Sequence, residues 1–150
     1  MEKVVFSEEL KGFVHSVIKR YYSILSLQDY RISLSFNTTE KLAQEQVGFS
    51  TSDKIAATNT VSPRYLEACI TIYPPIVRMY TSGDKQEVEH IIVHELSHIL
   101  TQHFFDLAVA TYKDEGEMKD AWEMCTERIA RIALSVQEEK VRKPTRPKKS

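Results

Sequence analysis

Between Phe6 and Leu27 the apolar residues Phe6, Leu10, Phe13, Val14, Val17, Ile18, Tyr21 and Ile24 or Leu25 recur at every third or fourth position, with Lys and Arg between them. That spacing predicts an amphipathic first helix. "YRISLSFN", from Tyr30 to Asn37, then alternates apolar and polar residues, which is the pattern of a half-buried strand. "QVGFS" and "IAATNTV" are weaker strand candidates. "YLEACITIYPP" alternates through Ala68, Ile70 and Ile72 and runs into Pro74 and Pro75, predicting a last strand next to a sheet edge, where prolines are tolerated. After "SGD" the spacing becomes helical: Gly83 supplies a turn, Asp84 a cap, and Glu87 the reciprocal partner of a capping box. "ATYKDEGEMK" reads as a connecting loop or frayed helix end, and a third helix is expected from about Lys119 to Glu139 with Trp122, Cys125, Ile129, Ile132, Ala133 and Val136 as its stripe. The expected order is helix, a few strands, helix, helix, an α+β arrangement.

The second helix breaks its own pattern. In "HIIVHELSHILTQH" two histidines, a glutamate and a serine interrupt a run of Ile, Val and Leu. Val88, Ile91, Ile92, Val93, Leu96, Ile99 and Leu100 lie on nearly every side, so His94, Glu95 and His98 are expected to be partly buried. Buried polar groups without partners cost roughly 1 to 3 kcal/mol each. A metal ion removes that penalty. His94 and His98 stand at i and i+4, about 6 Å apart along a helix axis and about 40° apart around it, so both imidazoles can reach one ion. Zinc takes imidazole nitrogen readily and, at catalytic sites, keeps three protein ligands and one open position. Glu95 would project beside that position and act as general base toward a metal-bound water.

A third ligand has to come from elsewhere. A histidine six residues after His98 is missing, since Phe104 stands there, and Thr101 occupies the place of the glycine that usually accompanies it. His103 is one position short and reads as a helix-end or supporting residue, and His90 as a solvated bystander. Glu123 and Glu127 in "WEMCTERIARIAL" are one turn apart on the third helix. At about 100° per residue Glu123 falls at the edge of the apolar arc and Glu127 just outside it, making Glu123 the more buried of the two, with both open as ligands.

Composition sets the scale. With 150 residues, 42% of them hydrophobic, the chain suits one domain with a real core, expected over residues 1–139. No apolar run is long enough to span a membrane, and "MEKVVFSEELKG" lacks a secretion signal, so a soluble, cytoplasmic protein is expected. Cys69 and Cys125 are far apart without a C-x-x-C pairing and read as reduced and structural. The net charge of −1 is uneven: residues 140–150 hold six of the twenty Lys and Arg and no acid, leaving about −7 for the rest. With two prolines and one apolar residue this segment reads as a disordered basic tail, able to grip nucleic acid or an acidic partner weakly.

"HELSH" on one helix with a glutamate on a later one resembles the gluzincin branch of the zincin metallopeptidases. In thermolysin-like members the ligand Glu is followed at three and four residues by Ser and Asp, the Asp orienting a zinc histidine, and "EMCTE" from Glu123 to Glu127 is similar. That resemblance implies Glu123 as ligand and Glu127 as the supporting carboxylate. More broadly, Phe6 to Val136 resembles small single-domain metallopeptidase-like proteins of bacteria and their phages. The fold so implied is a zincin-like minimal one: an N-terminal helix, a small mixed sheet, the HExxH helix, and a C-terminal helix carrying the third ligand. It also implies one zinc ion, a peptide or protein substrate, and Ala68 to Tyr73 as the substrate-facing edge strand. Tyr112, His103 and Tyr73 are candidate donors to a developing oxyanion, none at a diagnostic spacing. Two rival readings are a zinc-stabilised interaction or regulatory module that does not cut, and a nucleic-acid-associated protease tethered by the basic tail. Histidine and carboxylate ligands also accept several divalent ions.

Overall fold

The computed structural model describes residues 4–38, 55–111 and 115–142. The "QVGFS" segment, Tyr112 and residues 143–150 lie outside them. The first helix, α1 (Glu8–Ile24), starts where Ser7 caps it, its Oγ accepting the Leu10 amide at 3.2 Å, with Glu8 and Glu9 in the first turn. It ends in a Schellman turn. Ser26 takes φ of 53°, the Leu27 amide donates to the Tyr22 carbonyl at 2.9 Å, and buried Leu27 closes the end apolarly.

Three strands follow, β1 (Arg31–Phe36), β2 (Ala57–Ser62) and β3 (Glu67–Ile72), in the spatial order β1-β3-β2. β3 pairs parallel with β1 and antiparallel with β2, so the sheet is mixed. A 3-10 turn at Pro63–Tyr65 and Leu66 in the left-handed region reverse the chain between β2 and β3. The expectation that Ala68 to Tyr73 forms a sheet edge is therefore corrected: β3 is central, and β2 and β1 are the outer strands among the described residues. Alternation predicted the strand because Ala68, Ile70 and Ile72 point into the core. Its prolines carried no information about the edge. Pro74 and Pro75 instead open a helix, α2 (Pro74–Thr81), at first-turn positions that need no amide donor.

Gly83, at φ of 91°, turns the chain, and Asp84 accepts the Glu87 amide at 3.2 Å to start α3 (Lys85–Thr111). The Glu87 carboxylate lies 3.8 Å from His90 Nδ1. The last helix, α4 (Glu115–Arg142), begins and ends beyond the expected bounds, so most of "ATYKDEGEMK" is helix, and so are Lys140, Val141 and Arg142 of the expected tail.

α3 is the central element. Val88, Ile92, Val93, Leu96 and Ile99 are fully buried against Leu10, Val14, Val17 and Tyr21 of α1, Ile70 and Ile72 of β3, and Ala130 and Ala133 of α4. The buried face of α4 is thus Thr126, Ala130 and Ala133, so the expected stripe holds at Ala133 and, half-buried, at Trp122 and Ile129, but is rotated elsewhere: Cys125 is exposed, Ile132 is 62% exposed and Val136 38%. Small residues win the inward face because α3 is already apolar all round and packs closest where α4 presents little bulk. Both cysteines are free thiols, Cys69 half-buried on β3 and Cys125 on the surface, so a structural role does not extend to Cys125. No helix among the described residues is long and apolar enough to cross a membrane.

Candidate metal centre

The motif lies midway along α3, where burial is greatest. Glu95 and His98 are buried and His94 is half-buried. One helical turn separates the imidazoles, whose ring centres are 4.7 Å apart, edge to face. α4 crosses above them and brings in Glu123. Its Oε2 lies 3.4 Å from His94 Nε2 and 3.5 Å from His98 Nε2, and the three donor atoms fall within 4.8 Å of one another. Two ligand atoms about 2.0 Å from one tetrahedral ion are about 3.3 Å apart, so the His94, His98 and Glu123 cluster could hold a metal ion.

Glu127 has a different position. Its Oε2 lies 3.1 Å from His94 Nδ1, on the far side of that ring, and Arg131 donates to its Oε1 at 2.6 Å. His90 Nε2 meets the same Oε2 at 3.2 Å, so His90 is joined to the site and is no solvated bystander. By side-chain exposure Glu123 is the more open of the two glutamates, at 41% against 29% for Glu127. Glu123 thus meets the Nε2 atoms of His94 and His98, while Glu127 joins His90 and His94 of α3 to α4.

Four supporting residues were not singled out for the site by the sequence. Asn59 of β2 donates through Nδ2 to Glu95 Oε2 at 2.5 Å. Thr126 Oγ1 lies 3.2 Å from His98 Nδ1 and 3.2 Å from Thr101 Oγ1, and Trp122 Nε1–H donates to Thr101 Oγ1 at 2.6 Å. The Trp122 ring also packs on His98, with centroids 4.4 Å apart, and stacks on Phe105 at 4.2 Å. The spacing of Thr126 after Glu123 was the one available signal; contacts from Asn59 and Thr101 are long-range pairings that no local pattern encodes.

Charge follows from these contacts. Bonds from His94 and then His98 hold the Glu123 carboxyl down at about 2, outweighing the effect of its partial burial. Burial opposes protonation of His94, but Glu123, Glu95 and Glu127 together raise its pKa. Burial raises Glu95 above the usual carboxylate range, against the pull of His98, the Asn59 bond and His94. Burial also pushes Glu127 upward, but Arg131, His94 and His90 outweigh it and lower it.

The other expected site residues stand apart. His103 is exposed and lines a separate cavity with Tyr30, Pro63, Arg64, Leu66 and Asp106. Tyr73 is buried, with its hydroxyl 3.3 Å from Thr58 Oγ1. Comparisons of the chain with family models, curated proteins and solved structures returned no match.

Proposed function

We propose that this chain is a zinc-dependent metallopeptidase with a zincin-like minimal fold, in which His94, His98 and Glu123 hold one zinc ion. The observation that carries the reading is the convergence of those three donors beside the buried carboxylate of Glu95. Nitrogen, nitrogen and carboxylate oxygen suit zinc, and three ligands leave a position open. When bound there, zinc supplies a Lewis acid and a water acidic enough to deprotonate near neutral pH.

The chain's own residues then have distinct tasks. Glu95 takes the proton of the attacking water and hands it to the departing amine. Asn59 fixes the carboxylate through one oxygen, leaving the other to accept. Glu127 accepts from His94 Nδ1 and so turns its Nε2 toward the ion, a task carboxylates commonly perform behind ligand imidazoles. The substrate-pairing role expected of Ala68 to Tyr73 passes to β2, the outer strand among the described residues, whose Asn59 touches Glu95 and whose second edge would pair with an extended peptide.

The test is metal content per chain for the wild type and for Glu123→Ala and Glu127→Ala, followed by cleavage of a mixed fluorogenic peptide library. The expected result is one zinc per chain, lost in Glu123→Ala and only weakened in Glu127→Ala, with cleavage that Glu95→Gln abolishes. A wild type that takes up no divalent ion overturns the reading. Tyr73 turned to Thr58 and His103 in a separate cavity favour a second reading, a zinc-stabilised module that binds without cutting. Wild type and Glu95→Gln that both hold zinc, with neither cleaving any peptide, would select it.

A further inference from the structure

His98 is almost wholly buried, and each of its ring nitrogens has one defined neighbour. Nε2 faces Glu123 Oε2 at 3.5 Å and Nδ1 faces Thr126 Oγ1 at 3.2 Å. A neutral imidazole carries its proton on only one nitrogen. Without metal, a proton on Nε2 points to the Glu123 carboxylate, and Nδ1 must accept a hydrogen bond. With metal on Nε2, the proton must sit on Nδ1, which then must donate. The group behind Nδ1 therefore has to donate in one state and accept in the other.

A hydroxyl can do both, and the surrounding bonds supply the rest. When Thr126 donates to Nδ1, Thr101 keeps its own proton on the Ser97 or His98 carbonyl, each 3.3 Å away. When Thr126 accepts from Nδ1, its proton turns to Thr101 Oγ1 at 3.2 Å, while Thr101 still donates to a carbonyl and still accepts from Trp122 at 2.6 Å. Every polar hydrogen of the group has an acceptor in both states, and no buried side-chain nitrogen or oxygen among the described residues lacks a partner. The contrast with His94 is chemical: the ionised Glu127 behind it can only accept, so His94 donates from Nδ1 with metal and, as the charged ring, without it.

Resting on the metal reading above, we infer that Thr126, backed by Thr101 and Trp122, is a reversible positioning residue that holds His98 in one ring orientation with and without metal. The valine side chain has nearly the same shape as threonine but neither donates nor accepts. Thr126→Val therefore weakens zinc binding about 10- to 100-fold, the range for losing a group that orients a ligand imidazole. Thr126→Ser, which keeps the hydroxyl, retains wild-type affinity.

The experiment measures zinc affinity of the wild type, Thr126→Val and Thr126→Ser by competition with a chromophoric chelator, and the protonation of His98 by imidazole 15N resonance. In the wild type with a neutral ring, His98 Nδ1 is bare without zinc and carries the proton with it. Thr126→Val binding as tightly as the wild type overturns the inference. So does a serine variant as weak as the valine one, or Nδ1 protonated in both states. Zinc failing to bind any of the three proteins overturns the metal reading itself, a result distinct from intact wild-type binding with no effect of the substitutions.

Discussion

Glu95 sits where a carboxylate is least comfortable, with 9% of its surface exposed and burial pressing it toward the neutral acid. Asn59 counters that pressure by donating to the charged form. Removing the donor therefore raises the Glu95 pKa further. If Glu95 is the base of the proposed reaction, Asn59→Leu should move the acid limb of the kcat/KM profile to higher pH, because the ionised base appears only above its own pKa; an unmoved limb would show that Asn59 does not govern Glu95. On the proposed reading, Glu95→Gln puts an uncharged carboxamide in the place of the carboxylate and should lower hydrolysis by about 10²- to 10⁴-fold, the span of general-base contributions, with zinc content unchanged. At this scale the sequence was legible wherever chemistry is local. His94, Glu95 and His98 announce themselves by one helical turn, and Glu123 and Glu127 by another. Asn59 and Thr101 could not be read, because an ordinary polar residue on another element gains meaning only from a contact across the fold.

Helices and strands show the same division. α1 was readable because its apolar stripe, its serine cap and its partners agree; Tyr21 on that stripe donates to Glu89 of α3 at 2.7 Å, beside Arg20 at 2.8 Å. Burial, with the neighbouring Glu89 carboxylate, raises the Tyr21 pKa well above its ordinary value. A raised folded-state pKa contributes stability that is complete below the unfolded value of about 10 and is lost as pH climbs through the folded one. Tyr21→Phe should cost about 1 kcal/mol near neutral pH. It should also flatten the alkaline loss, measured as denaturation midpoints on either side of the unfolded tyrosine pKa. α4 was misread in part: Trp122, Ile129 and Ala133 of the expected stripe are buried or half-buried, but Cys125, Ile132 and Val136 are spaced convincingly and do not face the core. Ala130 and Ala133 do. Periodicity weighs side chains by hydrophobicity, whereas close contact with a bulky helix selects small ones. Ala130→Leu should therefore cost about 1 to 3 kcal/mol by overpacking, and weaken metal uptake by lifting Glu123 away. Ile132→Gln should stay within about 0.5 kcal/mol. Equal costs at the two positions would contradict the observed rotation of α4.

At the scale of the whole molecule, the site joins what the chain order keeps apart: an outer strand, the central helix and the last helix meet at Asn59, Glu95 and Glu123. Metal bound there couples these elements, so free zinc at about 100 times its dissociation constant should add about 2.7 kcal/mol to unfolding stability. Glu123→Ala should lose that increment, as read by the difference in thermal unfolding with zinc and with chelator. Binding also competes with protons, since the raised pKa of His94 means that a larger share of the ring is charged near neutrality. Uptake should release protons and weaken as pH falls. The strand order was out of reach of alternation, which fixes which face is buried but not which neighbour a strand takes. The chain has a single tryptophan, and Trp122 lies 4.4 Å from the ring of His98. Its ultraviolet emission is therefore an intrinsic optical gauge of one imidazole: any change in charge or bonding at that ring alters the light from the entire protein, and site occupancy can be followed in dilute solution without a dye or a label.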